Sequence, residues 1–261
     1  MIRNRNNSWI QNALTWLRLL FVLLVPEVVN CFRPYSSYRF APNGVCISPK
    51  HFVDVNDSAN TFVMRSVPGE GDCMFLAVAL ATLTSMGLGG NDTLLRAISR
   101  ETRDVVATVL ELPSGHLVIE GKRLVTTQAL LRSAAKGEGL STEEYLTQLR
   151  KEGIEGGLYG GGPELTVLAN VLRRPISIYE IDSDGIQQAG EQGKEKDVAF
   201  VRRMGVFGKN VFQDPLEALP ESAILSHPWV TNGAYSWHLH ILVVDTSRGE
   251  KHACVLLPQK L

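Results

Sequence analysis

The most constraining feature of the chain is an almost wholly apolar stretch that follows a glycine-flanked acidic turn. Pro68-Gly69-Glu70-Gly71-Asp72 interrupts the chain, and from Cys73 onward Met74, Phe75, Ala77, Val78, Ala81, Leu83 and their neighbours leave no polar face. A helix that is apolar all round belongs inside a core rather than on a surface. The segment therefore predicts a central helix that everything else must cover. A second helix is predicted over Asp92 to Leu112, with Leu94, Leu95, Ile98, Val105, Val106, Val109 and Leu110 inward and Arg96, Arg100, Glu101 and Arg103 outward.

The covering elements follow in order. Ser141-Thr142-Glu143-Glu144 is a capping-box signature that starts a helix ending near Gly153. Gly156, Gly157, Gly160, Gly161 and Gly162 break the chain, and Pro163 suits the first position of a helix over Glu164–Leu172. Residues 175–181 alternate as a strand. Trp237 to Val244 and His252 to Leu257 read as two strands joined by a turn. Helices first, then helix–strand, then a hairpin define an α+β domain with a mixed or mostly antiparallel sheet. Residues 113–124 and 183–197 read as loops.

Composition limits the function. The 261 residues carry 26 Lys+Arg against 27 Asp+Glu, so a clustered cationic surplus for nucleic acid is not expected. Four cysteines (Cys31, Cys46, Cys73 and Cys254) are too few and too irregular for a disulfide scaffold. No C-x-x-C pair points to zinc, and His238 and His240 lack an evident third ligand, so no metal and no cofactor is expected. Residues 1–35 form a basic and apolar extension, and residues 36–60 read as an irregular connector. The domain proper is expected over 61–261. The apolar run Leu19–Val25 is far shorter than the roughly 20 residues needed to span a bilayer, so no transmembrane span is expected. Arg3, Arg5 and Arg18 without an acid before Glu27 keep an organelle or secretory address in residues 1–30 open. The remainder suits a reducing compartment, the cytoplasm or nucleus.

Chemistry enters at the turn. A thiol at a helix start feels unpaired amides and the positive end of the dipole, which favour thiolate. Cys73 is in that position, and the neighbouring glycines leave backbone N–H groups free to meet an oxyanion. A thiol nucleophile needs a base. Of six histidines, His51, His116 and His227 fall in loop or turn sequence. His252 opens the last strand, where a side chain can be presented to another element, and His238 is the reserve base. Asp72 suits the cap of the following helix.

Three blocks carry a family resemblance. Glu70-Gly71-Asp72-Cys73-Met74-Phe75 resembles the nucleophile motif of the ovarian-tumour (OTU) cysteine proteases, Asp-Gly-(Asn/Asp/Arg)-Cys-(Leu/Met)-Phe. Tyr159-Gly160-Gly161-Gly162-Pro163-Glu164-Leu165 with Arg174-Pro175-Ile176 is similar to their Trp-Gly-Gly-x-x-Glu-Leu and Arg-Pro-Ile segments. The closing strand–turn–His252-Ala253-Cys254 is similar to their His-Tyr-(Asp/Asn) ending. The resemblance implies an OTU-like fold with a small mixed or antiparallel sheet packed between helices. It also implies a deubiquitinase that cleaves after the C-terminal glycine of ubiquitin, with ubiquitin or polyubiquitin chains as partners. By that resemblance Cys73 is the nucleophile and His252 the general base. Glu70 stands at the family Asp position, the backbone of Gly71 and Asp72 serves the oxyanion, and Gly160, Gly161 and Gly162 line the substrate channel. Glu70 adds a methylene to the family Asp, and Cys254 stands where the family orients its histidine with Asp or Asn. Asp54 and Asp57 are the upstream acids available instead. Cys254 also opens a second expectation, a weakly active or inactive ubiquitin-binding adaptor. A third is a cysteine hydrolase acting on another acyl substrate.

Overall fold

Strand β8 (Lys251–Pro258) has both faces covered, which explains why its sequence reads as a nearly continuous apolar run. His252, Cys254 and Leu256 alternate onto one face, where Cys254 and Leu256 join a cluster with Phe52, Phe62, Tyr179, Ala199, Val201, Leu242 and Val244. Ala253 and Val255 alternate onto the other face and are fully buried too. Helix α1 (Cys73–Ser85) packs along β8, with nearly its whole circumference buried.

In the computed structural model the described residues are 51–69, 71–182, 198–227, 236–246 and 250–259, all within one compact unit, Phe40–Leu261. The basic extension, most of the connector, Glu70, the 183–197 segment, Cys31 and Cys46 lie outside them. Strands β1 (His51–Asp54), β2 (Asp57–Ser66), β5 (Ile176–Ile181), β6 (Val198–Phe207), β7 (Leu239–Asp245) and β8 close into a barrel in the order β1-β2-β8-β7-β5-β6. The sheet is mixed as expected. β5 pairs parallel with β7 and β1 parallel with β6, and the other neighbours are antiparallel. Closure leaves no edge strand among these six.

Two expectations change here. The connector does not extend to residue 60, because His51–Asp54 and Asp57–Ser66 are barrel strands. Phe52 and Phe62, facing each other across that hairpin, are buried in the interior. Residues 113–124 are not a loop. They belong to a small antiparallel hairpin, β3 (His116–Glu120) with β4 (Arg123–Thr126). The helical layer is α1, α2 (Asp92–Glu111), α3 (Thr127–Gly137), α4 (Thr142–Arg150) and α5 (Gly162–Leu172), followed by a short α6 (Glu221–Ser226). Ser141 and Glu144 form the expected capping box at the start of α4.

A polar group sits at one end of the barrel interior. The His240 ring lies between Phe62 and Tyr179, at centroid distances of 5.0 and 5.7 Å. Its Nδ1 meets the Tyr179 hydroxyl at 3.0 Å and its Nε2 meets Ser236 Oγ at 3.1 Å. Burial, then the charges of His238, Arg203 and Arg174, push the His240 pKa down to about 3. The unfolded chain takes up that proton near the ordinary value of 6.5. Between those values the unfolded state binds more protons, so the stabilisation is complete above about pH 6.5 and is lost as the pH falls. Unfolding by urea at about pH 7 and about pH 5 is expected to differ by on the order of 1–2 kcal/mol. A His240→Gln variant should lose most of that difference, and an unchanged pH dependence in the variant would contradict the assignment.

Candidate active site

The turn before α1 is held by a close backbone approach. Gly71 adopts φ +85°, a conformation that side chains disfavour, and a Cβ there would lie 2.8 Å from the Cα of Gly153. This proximity lets the Gly153 N–H donate to both carboxylate oxygens of Asp72, each at 3.0 Å. Asp72 is the N-cap residue of α1, but its side chain makes no capping hydrogen bond. The expected cap is absent because a guanidinium competes for the carboxylate, and a charge-assisted bond outweighs a bond to a helix amide.

That guanidinium belongs to Arg103, which is 1 % exposed and not on the outer face of α2 as expected. Its Nε donates to Asp72 Oδ1 at 2.6 Å, and its Nη2 pairs with the same carboxylate and donates to the Gly71 carbonyl at 3.3 Å. Its Nη1 donates to the carbonyls of Leu149 and Leu158, at 3.1 and 3.0 Å. The Phe75 ring covers the guanidinium, 4.3 Å from Cζ to the ring centroid.

Cys73 is the first residue of α1 and is buried. The backbone N–H groups of Ala253, Met74 and Cys73 itself turn toward its sulfur and favour the thiolate. Burial outweighs them, and the Asp72 charge adds to burial, so the thiol pKa is raised above its ordinary value. The expected thiolate bias of the helix start is therefore overturned at rest, because desolvation of an anion exceeds the stabilisation by a few amides.

The contact with Ala253 sets Cys73 against β8 at the residue that follows His252. The His252 imidazole is buried, and the Val67 carbonyl accepts a hydrogen bond from it. Nε2 is buried without a hydrogen-bond partner, so the bond to Val67 comes from Nδ1. Burial lowers the His252 pKa, and the Val67 carbonyl partly opposes this. Cys254, at the orienting position, faces the barrel interior with its pKa pushed up to about 12, and Ser66 opposite it offers a hydroxyl. Both cysteines are free thiols.

The glycine segment forms the other wall. A Cβ on Gly160 would lie 3.1 Å from Met74 and from Phe75, so this backbone packs against the first turn of α1. The Gly161 N–H donates to Glu164 Oε2 at 2.7 Å. Glu164 is itself buried and accepts from the Tyr145 hydroxyl through Oε1. Gly162 opens α5, with Pro163 following at the helix start.

The remaining candidates do not join this group. His238 lies at the far end of the β7–β8 pair. His240 faces Leu256 whereas Val244 faces His252, and the Nδ1 of His238 meets Ser177 Oγ at 3.3 Å. Asp54 is buried at the end of β1, where Oδ1 accepts from the Asn56 N–H and Oδ2 has no partner. Asp57 closes a local turn, accepting from the Ala59 N–H and the Asn60 amide. Arg103, Glu164 and the Val67 carbonyl are site components that the sequence reading did not assign. For Arg103 a signal existed: it follows Leu95 and Ser99 at intervals of four, on the face that buries Val106, Ala107 and Leu110.

The site thus holds a buried thiol at a helix start, set against the strand that carries His252 with its Nε2 unpartnered. The sequence matches the family model of the OTU-like cysteine proteases over residues 68–203. The chain belongs to that family. No curated protein matches it. Among solved structures it is similar to the Hazara virus OTU bound to ubiquitin, at 14 % identity and a TM-score of 0.40, covering 77 % of this chain and 83 % of that one. The OTU domain of OTUD1 is 14 % identical with a TM-score of 0.37, over 75 % and 85 % of the two chains. The Farallon virus OTU protease is 15 % identical with a TM-score of 0.39, over 76 % and 84 %. Among the described residues no helix is long and apolar enough to cross a membrane.

The Gly71–Gly153 approach has a measurable consequence. Gly139 also has a positive φ, +70°, but open space around its Cβ position. Gly139→Ala should cost about 1 kcal/mol, the conformational penalty alone. Gly71→Ala adds a backbone overlap and should cost about 2–4 kcal/mol. Chemical denaturation of both variants checks this, and equal losses would show that the turn yields freely.

Proposed function

We propose that the chain is a deubiquitinating thiol protease that hydrolyses the peptide or isopeptide bond following the C-terminal glycine of ubiquitin. The observation that carries this reading is the His252 imidazole, held through Nδ1 by the Val67 carbonyl with a buried, unpartnered Nε2 beside the Cys73 strand contact. That tautomer leaves Nε2 as a proton acceptor.

On this reading the resting pair is neutral. His252 Nε2 takes the thiol proton as Cys73 Sγ attacks the glycine carbonyl carbon. The backbone N–H groups of the Gly71–Cys73 turn meet the oxyanion. The tetrahedral intermediate collapses, His252 returns the proton to the leaving amine, and a thioester remains. Water, deprotonated by His252, then attacks the thioester, and the released thiol recovers its proton. Gly160, Gly161 and Gly162 line the channel. The Gly160 backbone packs closely on Met74 and Phe75, and a narrow channel along this segment suits a substrate ending in two glycines, because larger side chains could not pass. Ubiquitin and its chains are the partners. A working Cys73 must stay reduced, which fits the cytoplasm or nucleus. Glu70 retains an acid at the family Asp position.

A second reading has its own support. Cys254 cannot orient His252 as a carboxylate would, and the raised Cys73 pKa slows thiolate formation, both consistent with a ubiquitin-binding adaptor of feeble activity.

Ubiquitin bearing a thiol-reactive C-terminal warhead separates the two. Wild-type protein is expected to form an adduct at Cys73. Cys73→Ala should form none, and His252→Ala should react at least about a hundredfold more slowly. His238→Ala should react like wild type. Binding without any adduct would favour the adaptor, and neither binding nor adduct would refute the ubiquitin reading.

A further inference from the structure

Resting on the protease reading above, we propose that Arg103 is a positioning residue that locks the turn carrying Cys73 against the strap carrying Gly160, holding nucleophile and cleft wall at one spacing. Both walls are otherwise irregular backbone, supplied by segments about eighty residues apart in sequence. The turn offers Arg103 the Gly71 carbonyl and the Asp72 carboxylate, and the strap offers the Leu158 carbonyl. A fourth acceptor, the Leu149 carbonyl, fixes the guanidinium to the end of α4. Phe75, in the first turn of α1, lies under the guanidinium and also touches the Gly160 position. The strap is tied at its other end by the Gly161 N–H on Glu164. One planar group thus sets the distance between the two walls, with four backbone or carboxylate acceptors arranged around it. Lysine has a single ammonium and cannot span them.

Arg103 touches no reacting atom, so the expected signature is in turnover and not in binding. Arg103→Lys should unfold cooperatively yet turn over a fluorogenic ubiquitin C-terminal amide about a hundredfold more slowly in kcat, as a small misplacement of the nucleophile implies. KM should stay within about threefold of wild type. A second readout needs no ubiquitin: alkylation of Cys73 by iodoacetamide, followed by mass spectrometry across a pH series. The Asp72 charge opposes ionisation of Cys73, and Arg103 offsets that charge. Arg103→Gln should therefore move the alkylation profile to higher pH, and Asp72→Asn should move it to lower pH. A purely structural role predicts no such opposite shifts. The proposal is overturned if folded Arg103→Lys keeps kcat within about twofold of wild type, or if Arg103→Gln and Asp72→Asn shift alkylation in the same direction. If wild-type protein turns over no ubiquitin substrate, the protease reading fails while the alkylation arm still tests Arg103.

Discussion

A buried guanidinium is the constraint on which the site depends. Removing such a cation from water costs several kcal/mol, and the cost is offset only when nearly every donor finds a partner. Arg103 meets that condition with one carboxylate, three main-chain carbonyls and the face of Phe75. The geometry works in both directions. The acceptors have to come to the arginine, so the Gly71–Asp72 turn, the end of α4 and the Leu158 strap share one locus. Gly71 has to be glycine because Gly153 must approach closely enough for its N–H to reach Asp72. The Asp72 carboxylate consequently serves the arginine and not the helix.

Strand β8 supplies the second constraint. Its two faces meet different layers, so one short segment joins the barrel interior to α1. The Ala253 backbone N–H turns toward the Cys73 sulfur, while Cys254 packs into the barrel interior. The position two residues after His252 is therefore a barrel-interior position here, packed with Phe62, Tyr179 and Leu242. A carboxylate there would need partners that this apolar cluster does not provide, whereas a thiol needs none. The Val67 carbonyl takes over the orienting bond to His252. A carbonyl fixes ring and tautomer but adds no negative charge to stabilise an imidazolium, and that distinguishes this histidine from one backed by Asp.

Much of this was legible from residues alone, in proportion to how local the determinants are. The α1 segment declared its burial through the lack of any polar face, and Ser141 with Glu144 declared the start of α4. Cys73, Gly160 and His252 could be singled out because turns, glycines and strand starts are written in short windows. Barrel closure could not be read in this way. Asp57-Ser58-Ala59-Asn60 looks like a loop by composition, and the strand it opens is fixed only by pairing across a hairpin, Asp57 with Asp54 and Thr61 with Val53. Arg103 was misassigned for a related reason. Charge argued for solvent, although the interval of four from Leu95 and Ser99 argued for the core, and only the folded chain brings Asp72 and three carbonyls to that face.

The electrostatics of the pair follow from the same packing. Burial raises the Cys73 pKa and lowers that of His252, so both groups are driven toward their neutral forms. A thiolate–imidazolium pair would put two charges into a site whose nearest fixed charge, Asp72, is already committed to Arg103. On the proposed protease reading, the free Nε2 of His252 and the amides around the sulfur are resources for the moment of attack, when the proton moves and negative charge passes to the substrate oxygen. On that reading, burial keeps the thiol protonated until an electrophile is positioned between the turn and the glycine strap. Reactivity toward a fitted carbonyl and indifference toward stray electrophiles would then have one physical source, the desolvation of Cys73.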